Sequence, residues 1–307
     1  MNTPFDYQAL LDETLREEKK YGERGQVASY IPELRKADPN MAGIALMTTR
    51  GIFTAGDTAV NFTLQSISKV LTLLLALEHR GVEAVFAKVG SEPTGDSFNS
   101  IVKLETSEQK PLNPMINAGA IAVCSLLPGQ SVEERFGLIA DLLEKILGRP
   151  VQIDESVYRS EKETGHRNRA LAHFLKDIHA LEGDVEEVLD LYFRQCSILV
   201  NCADLARIGM FLAAKGINEA GKPIVSANAV RLVSTFMVTC GMYNGSGEFA
   251  IKVGIPAKSG VAGGILGVVP GRYGVATYGP ALDRKGNSVV GISMLRRLSQ
   301  VLDLSIF

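Results

Sequence analysis

The sequence lacks the cysteine and histidine patterns on which disulfide-rich and metal-binding proteins depend. It has no tryptophan, and its four cysteines, at positions 124, 196, 202 and 240, include no C-x-x-C pair. Its four histidines form neither an H-E-x-x-H motif nor a Cys/His spacing typical of zinc ligands. These absences argue against a disulfide scaffold and a metal centre. We therefore expect no metal site and a reducing compartment.

The sequence also lacks an excess of positive charge and a long apolar segment. Its 32 lysines and arginines against 34 aspartates and glutamates leave a net charge of −2, so we expect no nucleic-acid partner. The longest apolar run, 70–77, is interrupted only by Thr72 and is far shorter than the roughly 20 residues that cross a bilayer, so we expect no membrane partner. The segment 1–7 does not resemble a signal peptide. A cytoplasmic protein is the simplest interpretation.

Strand-like patterns lie near both ends of the 307-residue chain. Two apolar runs, 41–49 and 52–56, surround an Arg50–Gly51 turn and predict a β-hairpin. Towards the C-terminus, strands are predicted over 257–270, 275–278 and 289–294, and a helix from Leu295 onward.

The middle of the chain has helical periodicity. Helices are predicted in the first 20 residues and over 66–80, 131–147, 168–180, 185–195 and 202–215. Ser131 and Glu134 have the spacing of a capping box at the start of one of these helices. The segments 90–95 and 109–117 are loop-like, with several Gly, Pro and Asn residues.

This order of elements predicts an α+β fold. The N- and C-terminal segments would form one antiparallel sheet, flanked by the terminal helices, with a helical lobe inserted between them. We expect a single catalytic domain, 1–307, with a sheet lobe at about 1–64 and 250–307 and a helical lobe at about 65–249. The cleft between the lobes is the expected place for a site.

The first candidate for chemistry is the S-x-x-K motif from Ser66 to Lys69. On a helix this spacing places a hydroxyl and an ammonium on one face, one turn apart. Free N–H groups and the dipole at a helix start would favour a partly ionised Ser66 oxygen, and a neutral Lys69 could accept its proton. The alternative is that Ser66 is only an N-cap and that Lys69 extends to water.

A second S-x-x-K, from Ser107 to Lys110, is set aside. Pro111 disfavours helical geometry at Lys110, and the segment is charged and loop-like. The helix that follows Ser66 is instead apolar on nearly every side, which predicts burial. A charged lysine at the start of a buried helix costs free energy unless its charge is compensated.

The second candidate is Lys258-Ser259-Gly260, on a predicted strand. A Lys-Ser/Thr-Gly triplet together with an S-x-x-K serine is the pattern of the penicillin-recognising serine hydrolases. Glycine lets the backbone approach a substrate, and an N–H at a strand edge can complete an oxyanion hole. The alternative is that the glycines only mark a bulge or bend.

The sequence closely resembles the bacterial serine-dependent glutaminases, whose fold is like that of the β-lactamases and transpeptidases. The resemblance runs through nearly the whole chain and rests on seven segments in order: 62–69, 113–120, 160–161, 167–168, 192–193, 240–243 and 256–261. It implies hydrolysis of the side-chain amide of L-glutamine to L-glutamate and ammonia. It also implies that no cofactor is needed and that the protein is a homodimer or homotetramer.

The resemblance assigns the catalytic roles. Ser66 would be the nucleophile, Lys69 its activating partner and Tyr243 the proton shuttle. The backbone N–H groups of Ser66 and Val261 would hold the oxyanion. The side chains that would contact the substrate are Gln65, Asn117, Glu161, Asn168, Tyr192, Tyr243 and Ser259.

The implied contacts suit an amino-acid zwitterion. Glu161 would pair with the α-ammonium, and Asn168 and Tyr192 would donate to the α-carboxylate. Each has a local alternative: Glu161 lies in a charged run typical of a solvated face, Asn168 could cap a helix, and Tyr192 could be a core residue. Asn117 could be a turn residue.

Two other functions share part of the pattern. A β-lactamase or penicillin-binding enzyme also carries S-x-x-K and K-[ST]-G, although the chain has no S-D-N triplet. An amino-acid sensor would use the same pocket only to bind. Turnover of nitrocefin would support the first, and glutamine binding without ammonia release would support the second.

Overall fold

The computed structural model describes residues 5–94 and 110–307. Ser107 of the second S-x-x-K and the ends of the predicted loops at 95 and 109 lie outside the described residues. The described α-helices are Tyr7–Glu18 (α1), Ser68–Lys88 (α2), Asn117–Cys124 (α3), Val132–Leu147 (α4), Glu155–Thr164 (α5), His166–Asp177 (α6), Val185–Cys196 (α7), Cys202–Ala213 (α8), Ala227–Cys240 (α9), Ser246–Lys252 (α10) and Val289–Leu302 (α11). The described strands are Gly43–Thr48 (β1), Gly51–Gly56 (β2), Phe62–Thr63 (β3), Leu199–Val200 (β4), Ala257–Ser259 (β5), Gly264–Val269 (β6) and Tyr273–Tyr278 (β7).

Five strands from the two ends of the chain form one antiparallel sheet, in the order β2-β1-β7-β6-β5. The N-terminal hairpin joins the C-terminal strands where Gly43 of β1 pairs with Tyr278 of β7. The short strands β3 and β4 pair separately. The sheet confirms the predicted α+β fold built from both terminal segments.

Helices cover both faces of the sheet. Helices α1 and α11 pack on one face, over a core that includes Leu11, Ile44 and Met294. Helix α8 packs on the other face so closely that a Cβ at Gly274 would lie 2.0 Å from the Ala206 carbonyl oxygen. Only glycine permits this approach of helix to strand.

The helices of the middle segment surround α2, which is buried from Ser68 to Leu77. Gly81 interrupts α2 with φ of 81°, at the position where the sequence predicts its end. Ser131 caps α4 as predicted by accepting from the Glu134 N–H, while the Glu134 carboxylate accepts from the N–H of Gln130. Among the described helices, none combines the length and the apolar character needed to cross a lipid bilayer.

The predicted strand over 289–294 is wrong, because this segment is the first part of α11. Ser288 caps the helix by accepting from the Gly291 N–H, and Val290, Met294 and Leu298 are buried at helical spacing. The β-branched start of the segment suggests a strand, whereas the cap and the spacing produce a helix.

Two further details differ from the sequence prediction. The hairpin turn consists of Thr49 and Arg50, because Gly51 already pairs with Thr48 as the first residue of β2. The run 257–270 contains two strands, β5 and β6, joined at a turn in which Gly263 donates to the Gly260 carbonyl at 2.9 Å. Helices α3, α5, α9 and α10 are not predicted by the sequence analysis.

Candidate active site

Ser66 lies in a strained turn just before α2. Residues Gln65–Ile67 form a single 3-10 turn. Gln65 has φ of 48°, which is unfavourable for residues other than glycine. The Ser68 hydroxyl donates to the Gln65 carbonyl at 2.7 Å and closes the turn. Ser66 therefore precedes the helix by two residues, rather than opening it as the sequence predicts, and is nearly buried.

Lys69 is enclosed in the first turn of α2. It is 1% exposed, and its Nζ donates to the Met115 carbonyl at 3.1 Å and to Asn117 Oδ1 at 2.7 Å. Burial lowers the pKa of Lys69 to about 8, against the opposing influence of Cys196, Cys124 and Glu161. About one Lys69 in ten is then neutral at pH 7, which is enough for a group that must accept a proton.

Asn117 connects Lys69 to a second amide. It is the first residue of α3, and its Nδ2 donates to Asn168 Oδ1 at 3.1 Å. Asn168 lies within α6 rather than at its cap. Because a Cβ at Gly119 would lie 1.9 Å from the Asn113 carbonyl, glycine there allows α3 to start in this place.

Tyr243 reaches Ser66 from the other side. It has φ of 52°, and its hydroxyl donates to the Ser259 carbonyl at 3.1 Å. Burial raises the pKa of Tyr243 above its usual value, and a hydrogen bond with Ser66 partly opposes this rise. In the described residues five non-glycine residues have positive φ, and two of them, Gln65 and Tyr243, are at this site.

The Lys258-Ser259-Gly260 motif forms the end of β5 and the turn after it. Lys258 and Ser259 have no exposed surface, and the Ser259 hydroxyl is buried without a hydrogen-bond partner. A Cβ at Gly260 would lie 2.7 Å from the Leu64 carbonyl and 3.2 Å from Ile67 Cγ1. Gly260 thus packs directly against the turn that carries Ser66.

Glu161 is buried beside the same turn. It is 5% exposed, although its neighbours Lys162 and Glu163 are exposed, so the solvated-face alternative is wrong for this residue. Burial raises the pKa of Glu161 to about 7, against a hydrogen bond from Gln65 and the charge of Lys69. A carboxylate without a full counter-charge is suited to receive a cationic group.

Tyr192 lies near Glu161, on α7. It is 3% exposed, and its hydroxyl forms a hydrogen bond with Cys196. Burial raises the pKa of Tyr192 well above its usual value, as do the nearby Cys196 and Glu161. Its hydroxyl is therefore a neutral donor.

A cleft of about 640 Å³ opens outside these residues. Tyr243 and Val261 contribute to its wall, as do Tyr30, Arg24 and Arg284. The cleft places Val261 at the mouth of the site, next to the phenol. Among the described residues, no group of His, Cys, Asp or Glu side chains is arranged to hold a metal ion.

Tyr30 is a further candidate site residue, which the sequence does not predict. Although 53% of the residue is exposed, it lines the cleft together with Tyr243, and its hydroxyl is close enough to Glu161 to feel its charge. Burial of that hydroxyl, with contributions from Glu161 and Tyr243, raises the pKa of Tyr30. Only its presence as an aromatic residue in a loop, before Ile31 and Pro32, could have drawn attention to it.

All of the residues that the resemblance assigns lie around this one location. Contacts join Ser66 to Tyr243 and Tyr243 to Ser259. Others join Lys69 through Asn117 to Asn168, and Gln65 to Glu161. The arrangement offers a serine hydroxyl, a lysine with a depressed pKa and a buried carboxylate, which suits acyl transfer from a substrate that carries an ammonium group.

Comparisons with known proteins show what this chain is similar to. A family model described as Glutaminase matches residues 25–307. A glutaminase of Alkaliphilus oremlandii is 53% identical over 304 residues, covering 98% of this chain and 100% of that protein. A glutaminase of Clostridium botulinum is 53% identical over 302 residues, covering 97% of this chain and 99% of that protein.

Two solved structures from Bacillus subtilis are also similar, in keeping with the β-lactamase-like architecture. A probable glutaminase superposes with a TM-score of 0.92 at 40% identity, covering 98% of this chain and 97% of that one. The second is the covalent complex of the glutaminase YbgJ with 5-oxo-L-norleucine, formed by reaction with 6-diazo-5-oxo-L-norleucine. It has a TM-score of 0.89 at 39% identity, covering 98% of this chain and 100% of that one.

Proposed function

The chain belongs to the glutaminase family, and we propose that it hydrolyses the side-chain amide of L-glutamine to L-glutamate and ammonia through an acyl-enzyme on Ser66. The observation that carries the mechanism is the position of the Ser66 hydroxyl. It lies beside the Tyr243 hydroxyl, whose pKa it lowers, and three residues before Lys69, whose buried amine has a pKa of about 8.

Recognition of glutamine follows from the charges in the pocket. The buried Glu161 pairs with the α-ammonium, and Asn168 and Tyr192 donate to the α-carboxylate. Gln65 holds Glu161 in place through its hydrogen bond. The ligand of the YbgJ complex supports this assignment, because its name describes an L-α-amino acid with a ketone where glutamine has its amide carbonyl.

The first half-reaction forms an ester. Ser66 Oγ attacks the amide carbon, and its proton passes to the pair formed by Lys69 and Tyr243. Because the pKa of Tyr243 is raised and that of Lys69 is lowered, Lys69 is the member of the pair with the more accessible basic form. The oxyanion is held by the N–H groups of Ser66 and Val261, and the pair protonates the departing ammonia.

The second half-reaction reverses these roles. Water attacks the glutamyl ester, its proton passes to the same pair, and the Ser66 oxygen recovers a proton as glutamate leaves. Because Lys69 and Tyr243 both exchange a proton with Ser66 in this mechanism, the pH profile of turnover will report the two groups together rather than either one alone. Asn117 and Ser259 hold the two members in place through the contacts described above.

The experiment that tests the function is ammonia release from L-glutamine, with L-asparagine and nitrocefin as alternative substrates. We expect release by the wild type, none by Ser66→Ala, and wild-type activity in Ser125→Ala, which removes a buried hydroxyl outside the site. Activity that survives in Ser66→Ala would contradict the serine mechanism. Glutamine binding without ammonia release would favour a sensor, and nitrocefin turnover a β-lactamase.

We also propose that the protein acts as a single catalytic domain, in the cytoplasm, and as a homodimer or homotetramer. All four cysteines are unpaired and buried, which supports a reducing compartment. Cell fractionation and light scattering at several protein concentrations test the location and the assembly. A periplasmic or monomeric protein would contradict them.

A further inference from the structure

Lys258 has no role in the mechanism above, yet it is one of the largest fully buried side chains in the described residues. Its Nζ donates to two backbone carbonyls, those of Gly241 at 3.1 Å and Ser259 at 2.8 Å. In the part of the chain that the structure describes, it forms no ion pair with a carboxylate. Burial of a charged amine without a counter-charge costs free energy, so the position of Lys258 points to a function.

The contacts of Lys258 converge on Tyr243. Its Nζ lies 4.4 Å from the centroid of the Tyr243 ring. The Ser259 carbonyl that accepts from Lys258 also accepts from the Tyr243 hydroxyl, at 3.1 Å. The other acceptor, Gly241, precedes Tyr243 by two residues in the same loop. Lys258 thus touches the ring, the acceptor of the phenol and the loop that carries it.

We propose that Lys258 is a positioning residue that acts through Tyr243, and this inference rests on the function proposed above. Tyr243 has a backbone conformation that persists only where its surroundings hold it. The amine of Lys258 ties the Tyr243 loop to β5 and occupies the face of the ring. It thereby directs the phenol towards Ser66.

A purely structural role explains these contacts less well. Each of the two carbonyls has another donor, since Gly241 also accepts from the Ser259 N–H at 3.1 Å and Ser259 from the Tyr243 hydroxyl. Removal of the amine therefore leaves neither carbonyl without a partner. Burial and the charge of Lys69 lower the pKa of Lys258, which favours its neutral form. An apolar side chain of the same length at this position should therefore change the stability of the fold little.

The test is a double-mutant cycle on L-glutamine turnover with wild type, Lys258→Met, Tyr243→Phe and the double variant. We expect Lys258→Met to lower kcat roughly 10²-fold and to change KM by less than about threefold. The double variant should be within about threefold of Tyr243→Phe, because the two changes remove the same contribution. The matched control, Lys110→Met, removes an amine that donates to the Phe86 carbonyl and should retain wild-type activity.

Two results would overturn the inference: wild-type kcat in Lys258→Met, or losses that multiply in the double variant, as independent damage to the fold would produce. If Lys258→Met does not fold, Lys258→Gln replaces it in the cycle and is judged by the same criterion. A wild type that releases no ammonia would overturn the proposed function, and this inference with it. An active wild type with multiplying losses overturns the inference alone.

Discussion

The ionisation of Glu161 should control glutamine binding near neutral pH. Burial raises the pKa of this carboxyl to about 7 in the ligand-free protein. Only the ionised form pairs with an α-ammonium, so affinity should increase as the pH rises through 7. With this pKa, about 9% of Glu161 is ionised at pH 6 and about 76% at pH 7.5, which gives an increase in affinity of about eightfold.

The assay is titration calorimetry with Ser66→Ala, which binds L-glutamine without consuming it. The dissociation constant is measured from pH 6 to 7.5, below the range in which the pKa of Lys69, about 8, dominates. Buffers of different ionisation enthalpy report the protons released. We expect about half a proton per glutamine at pH 7, because binding converts Glu161 fully to the carboxylate.

Two glutamates of the same helix provide the controls. Glu161→Gln in the same background should bind weakly and lose the pH dependence. Glu163→Gln, two residues further along α5, changes an exposed carboxylate and should behave as the parent does. An affinity that stays constant between pH 6 and 7.5, with no proton release, would refute Glu161 as the partner of the ammonium group.

Two substitutions test the parts that surround Ser66. Tyr243→Phe removes the hydroxyl that bonds Ser66 and should lower kcat by about 10²-fold or more while glutamine binding is largely kept; near-wild-type turnover would exclude Tyr243 from the proton path. Gly260→Ala places a Cβ 2.7 Å from the Leu64 carbonyl, so it should displace the Ser66 turn and lower kcat/KM at least about tenfold. Gly137→Ala, where a Cβ meets open space, is its control, and equal kcat/KM in the two variants would contradict this account of the turn.

Local patterns predict the elements whose signals lie close together in sequence. The hairpin follows from two short runs beside Gly51, and the start of α4 from Ser131 and Glu134. The strand predicted over 289–294 is wrong because its first residues favour a strand, whereas the Ser288 cap and the packing of Met294 and Leu298 stabilise a helix. Tertiary contacts decide such segments.

Some residues of the candidate site are predicted by local patterns, and others are brought together only by the fold. The S-x-x-K and Lys-Ser-Gly motifs are visible as short patterns, and the family resemblance supplies the remaining residues. No local signal separates Glu161 from Lys162 and Glu163, because its burial depends on contact with Gln65, far away in sequence. The sequence does not predict Tyr30 for the same reason, since its proximity to Glu161 and Tyr243 arises only in the folded chain.

The central claim is a glutamyl ester on Ser66, and trapping that ester tests it most directly. Wild-type protein would be mixed with L-glutamine, quenched in acid within milliseconds, and examined by intact mass and peptide mapping. We expect a mass increase of one glutamyl group, located on the peptide that contains Ser66 and absent from Ser66→Ala. A glutamyl group on another residue, or rapid turnover with no adduct in the wild type and undiminished activity in Ser66→Ala, would contradict the account.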